Sequence, residues 1–89
     1  MKSVKTAQFT KLFANLPIEI QKKARKNYQL WKADNKYPGL HFKQINARLS
    51  IYSVRVGLYH RALGVKKGET IIWFWIGSHE DYNNMVSQM

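Results

Sequence analysis

Cysteine is absent from this chain of 89 residues. That excludes a disulfide framework and a thiolate metal site, and it suits a reducing compartment. Acids are almost as scarce: five Asp and Glu face fifteen Lys and Arg, for a formal net charge of +10. There is no uninterrupted apolar run of about 18 residues to cross a bilayer. The opening MKSVKTAQF lacks the apolar stretch of a secretory signal, so a cytoplasmic location and no membrane association are expected. Histidine occurs only as His41, His60 and His79, far from any metal-ligand spacing, and no metal or other cofactor is expected. Repeats, low-complexity tracts and linkers are also missing, which leaves a single domain over residues 1–89.

What is present is apolar and basic. A domain this small buries only about 60% of the surface its unfolded chain exposes, so its core must be dense. Three Trp, five Tyr and four Phe supply the material. The cationic excess favours a polyanionic partner: RNA, DNA, anionic lipid or an acidic protein. A merely solubilising surface would mix both signs, so nucleic acid or an acidic protein is the better reading.

Hydrophobic spacing divides the chain into halves. Residues 2–6, KSVKT, have the character of a short first strand. Phe9, Leu12, Phe13 and Leu16 follow the i, i+3, i+4, i+7 spacing of one helical face. Pro17 ends that helix and suits the first turn of another. There Ile20, Ala24, Tyr28 and Trp31, with Leu30 beside them, line the apolar side, and Lys22, Lys23, Arg25 and Lys26 the other. DNKYPGL, residues 34–40, stops the helix with turn formers. A helical hairpin over residues 8–33 is predicted.

The second half has the period of strands. IYSVRVG, residues 51–57, sets Tyr52, Val54 and Val56 against Ser53 and Arg55. YHRALGV, residues 59–65, follows with almost no gap, and KKGE, residues 66–69, makes a hairpin turn. TIIWFWIG, residues 70–77, is apolar on both faces, as a strand inside the sheet is, so the first strand is expected to pair beside it. Ser78 and Asp81 have the spacing of a capping box. Tyr82, Met85, Val86 and Met89 give the final short helix an apolar stripe. The predicted fold class is α+β: an N-terminal strand and helical hairpin packed on an antiparallel sheet, then a short C-terminal helix.

That order, with LPIEIQKKARKNYQLW, YSVRVGLYHRALGV and the ending FWIGSHEDY, resembles the RelE/ParE superfamily of toxins from type II toxin–antitoxin systems, its RelE/HigB-like branch in particular. The resemblance spans essentially the whole chain. It implies a ribosome-dependent, metal-independent mRNA endoribonuclease that inhibits translation, held in check by an acidic cognate antitoxin, with mRNA on the ribosome as substrate. One fold hosts several activities. The alternatives are a ParE-like inhibitor of DNA gyrase without nuclease activity, and a basic RNA-binding protein that has lost the site.

The implied reaction is attack of a ribose 2′-hydroxyl on its own 3′ phosphate. It needs a proton acceptor, a proton donor to the leaving 5′ oxygen, and cations to stabilise charge gathering on phosphorus. Arg55 and Arg61 match the superfamily's catalytic arginines and could clamp a phosphate between them. Imidazole is the side chain best suited to give or take a proton under physiological conditions, so His79 is the proton-transfer candidate. Tyr82, three residues on, shares a helical face with it and could orient or stack on a base, with core packing as the competing role. Lys43, Arg48, Lys22 and Lys26 are the candidate RNA contacts. His60 is expected to point away from Arg61, in a structural or partner-facing role. Trp73 and Trp75 are expected on one strand face, as core, with stacking on bases as the alternative. Nuclease relatives often carry a further basic residue in the first core strand, where this chain has Ser53.

Overall fold

The computed structural model describes residues 1–89. Chain order is β1 (Lys2–Lys5), α1 (Ala7–Ala14), α2 (Ile18–Ala33), a 3₁₀ turn (Pro38–Leu40), β2 (Lys43–Asn46), β3 (Ile51–Val56), β4 (His60–Lys67), β5 (Thr70–Ser78) and α3 (His79–Ser87). The five strands form one sheet in the order β1-β5-β4-β3-β2. The predicted α+β class, helical hairpin and C-terminal helix are all there. The apolar run of β5 lies inside the sheet, flanked by β1 and β4.

Two features differ from expectation. The sheet is mixed, because β1 pairs with β5 in parallel while the other neighbours are antiparallel. It also gains an edge strand, β2, over residues that sequence reading assigned to no element. KQIN is short, and a register shift between Gln44 and Asn46 interrupts its ladder with β3, so period-2 alternation has almost nothing to act on.

Local signals explain the helices. The Thr6 hydroxyl accepts from the Phe9 N–H at 3.1 Å and starts α1. Gln21 donates to the Leu16 carbonyl at 2.9 Å, closing the α1–α2 corner. Ser78 caps α3 by accepting from the Asp81 N–H at 3.1 Å. Helix α3 ends at Ser87, so Met89 lies beyond the predicted stripe and is exposed.

The sheet carries a core on each face. On one, α1 and α2 pack against Val54, Val56, Ala62, Ile71, Trp73 and Ile76. Trp31 of α2 anchors this layer, edge-on to Trp73 with ring centroids 5.4 Å apart. On the other face Tyr82 of α3 closes over Ile51, Leu63 and Trp75. Trp73 and Trp75 are therefore on opposite faces, against the expectation that they share one. The cause is a β-bulge: Leu63 pairs with Trp75 and Gly64 with Trp73, which leaves Phe74 as the extra residue. Gly64 permits the crossing. A Cβ there would stand 2.7 Å from Ile71 Cγ2 and 2.9 Å from Trp73 Cε3, so only hydrogen fits.

Candidate active site

The bulge decides which side chains share the α3 face. Beyond it, Arg61 pairs with Gly77 on β5 and with Arg55 on β3. Partners across a ladder project to the same face, so the two guanidinium groups rise side by side at the end of the sheet where α3 begins. Like charges set directly opposite each other destabilise a sheet. The pair thus has a standing attraction for an anion.

Each arginine is held differently. Arg55 Nε donates to the Gly57 carbonyl at 3.2 Å, and Asn27 of α2 donates to the Arg55 carbonyl at 3.0 Å. Arg61 lies against the Tyr82 ring, with its guanidinium carbon 5.2 Å from the ring centroid. Its Nε and Nη1 are sealed from solvent with no hydrogen-bond partner, which leaves Nη2 as the donor that reaches the surface. The Ser53 hydroxyl, two residues before Arg55 on the same face, is also buried without a partner.

His79 opens α3. Its ring lies 5.9 Å from that of Tyr82, and its Nδ1 is 3.4 Å from the Asn83 side-chain amide. Arg55, Arg61, Tyr82 and His79 thus form one continuous cluster. Tyr82 is only 9% exposed, so in this arrangement it supports Arg61 and does not offer its ring to a base. Glu80 and Asp81, in the first turn of α3, place negative charge beside a helix N-terminus that would otherwise favour anions.

The four predicted RNA contacts separate. Lys43 pairs with Ser53 across β2 and β3, so it stands on the arginine face, one row from Arg55. Arg48 is in the β2–β3 turn. Ile51, where β3 starts after that turn, is already about 13 Å from Arg55 at strand rise, so Arg48 marks the opposite end of the sheet. Lys22 and Lys26 are exposed on α2, which covers the other face. Neither is brought to the cluster.

His60 points away from Arg61, as expected. Burial lowers its pKa below the ordinary 6.5, and the nearby Lys23 ammonium lowers it further. Lys23 also lies along the β3–β4 turn, its Cδ 3.3 Å from where a Gly57 Cβ would be. Gly57 takes φ +68°, a conformation side chains resist. No group of three His, Asp or Glu side chains is arranged to hold a metal ion. A cavity of about 220 Å³ opens between α1, α2 and the sheet, lined by Phe9, Phe13, Tyr28 and Trp31 and edged by Lys5 and Arg25. It is on the face opposite the arginines.

Sequence reading missed the turn between them. Leu58 and Tyr59, at 67% and 73%, are the most exposed large apolar residues in the chain. The signal was present: GLYH puts two bulky residues where a turn ordinarily has polar ones.

A mixed five-stranded sheet with a helical hairpin on one face and a C-terminal helix on the other is the architecture of the RelE/ParE class of toxin fold. The profile of the ParE-like toxin domain matches residues 19–84, and the chain belongs to that family. Among solved structures, the RelB–RelE antitoxin–toxin complex from Methanococcus jannaschii contains a similar chain. It has 20% identity and a TM-score of 0.73, over 92% of this chain and 96% of that one. The YoeB/ParE toxin from Agrobacterium tumefaciens is also similar, with 14% identity and a TM-score of 0.67, over 89% of this chain and 99% of that one. No curated protein matches the sequence.

Proposed function

We propose that this toxin acts on the ribosome as an mRNA endoribonuclease in the cytoplasm, and that an acidic antitoxin neutralises it. The observation carrying the reading is the pairing of Arg55 with Arg61 on adjacent strands, beside His79 at the start of α3. Two guanidinium groups aimed from one face can straddle a phosphate and meet the charge that develops on phosphorus. His79 can move the proton of the 2′-hydroxyl or of the leaving 5′ oxygen. Lys43, on the same face, extends the cationic track for the RNA backbone. Arg and Lys provide the charge stabilisation, so the reading requires no metal. An acidic antitoxin is supported by the +10 charge and by the antitoxin bound to the similar toxin from Methanococcus jannaschii.

A second reading, gyrase inhibition without chemistry, is favoured by the burial of two of the three Arg61 guanidinium nitrogens and by Ser53 in place of a cation. Induction in bacteria separates the two. Cleavage within translated frames, with loss of about 10²–10³ in rate for Arg61→Ala and a slowed rate for His79→Ala, supports the nuclease. Growth arrest by folded Arg61→Ala protein, with DNA damage and no cut mRNA, refutes it.

A further inference from the structure

We propose that Tyr59 is the stacking platform for an unpaired nucleobase next to the phosphate held by Arg55 and Arg61. It is then a positioning and specificity residue of the nuclease site, and the proposal rests on that reading. The turn Gly57–Leu58–Tyr59 joins the two strands that carry the arginines, with Arg55 two residues before it and Arg61 two residues after its end. It is held from both sides. Arg55 Nε binds the Gly57 carbonyl, and the Tyr59 carbonyl accepts the His79 N–H at 2.6 Å.

That second bond continues the β4–β5 ladder one step past the His60–Ser78 pair. Tyr59 is the last residue of the turn, and in the register that this bond extends it takes the parity of Arg61, opposite to His60. Residues two apart on a strand are about 6.6 Å apart, a spacing one nucleotide can bridge between its base and its phosphate. Tyr82, the other aromatic of the cluster, is packed into the core under Arg61. Tyr59, at 73% exposure on a backbone tied down at both ends, offers a π-face at small ordering cost. Aromatic platforms beside cations are how single strands are held without base pairing, and RNA sequence is read where bases are unpaired and can splay onto such rings.

The test is single-turnover cleavage on ribosomes programmed with mRNA whose vacant-site codon is intact or abasic at one of its three positions, using wild type, Tyr59→Ala, Tyr59→Phe and Tyr59→Trp. Stacking predicts a loss on the order of 10-fold or more for Tyr59→Ala, recovered in the Phe and Trp variants. It also predicts that an abasic nucleotide at one position slows wild type equally and slows Tyr59→Ala no further. If Tyr59→Ala cleaves like wild type, or if the two losses multiply at every position, the proposal is overturned while the nuclease reading stands. Retained cleavage with lost antitoxin binding would make the turn a protein anchor and overturns it too. Absence of cleavage by wild type refutes the nuclease reading itself, and the stacking with it.

Discussion

Replacing Arg61 by methionine should slow cleavage by about 10²–10³ while making the fold more stable. The guanidinium stands in a place poor for packing. Its Nε and Nη1 are sealed without partners, and leaving such donors unpaired costs about 1–3 kcal/mol. Arg55 stands directly opposite, and like charges across a ladder cost roughly 0.2–1 kcal/mol. Against this, the contact with Tyr82 at 5.2 Å is lost, worth about 0.5–2 kcal/mol. Methionine keeps the length of the side chain and its apolar cover over Tyr82. The balance favours the variant by about 1 kcal/mol, which for a domain of this size raises Tm by roughly 4–8 °C. Thermal unfolding followed by circular dichroism, beside the cleavage assay, reads both quantities. Arg61→Ala is the control, since it removes the charge together with the packing and should gain less stability or lose some. An Arg61→Met protein that melts well below wild type, or that cuts RNA as fast as wild type, would refute this reasoning.

Gly64→Ala should destabilise the fold by about 1–3 kcal/mol through overpacking, because the added Cβ meets Ile71 and Trp73 inside 3.0 Å; urea unfolding measures it. His60 makes stability depend on pH. Its folded pKa lies below the unfolded 6.5, so the unfolded state binds the proton more readily. Its contribution is complete above pH 6.5 and is lost as pH falls through that value toward the folded pKa. Urea midpoints at pH 7.5 and 5.5 should differ more for wild type than for His60→Phe, and equal differences would refute the assignment.

Much of the architecture was legible locally. Helical spacing from Phe9 to Leu16 and from Ile20 to Trp31, interrupted at Pro17, placed the hairpin. The alternation of Tyr52, Val54 and Val56 put Arg55 on the other face, and the unbroken apolar run of β5 put it inside the sheet. Arg55, Arg61, His79 and Tyr82 could be singled out as candidates because their residue types and spacings suit phosphate chemistry and resemble a known family. Lys22, Lys26 and Arg48 could not be separated from Lys43 in the same way. Along the chain they are equally basic, and only the layering of α2 and the direction of β3 carry three of them away from the arginines.

The sequence by itself determined the periods, the caps and the charge, because each is a relation between residues a few positions apart. Which residues meet was decided by the tertiary structure. A single bulge at Phe74, permitted by the missing side chain of Gly64, reverses the parity of β5 and sends Trp75 to the face opposite Trp73. That gives Tyr82 an apolar floor, and with Tyr82 over Arg61 the arginine keeps one outward nitrogen, while Tyr59 is the most exposed aromatic of the chain. TIIWFWIG is apolar at every position the bulge could occupy, so only the fit against β4 and the two cores selects one.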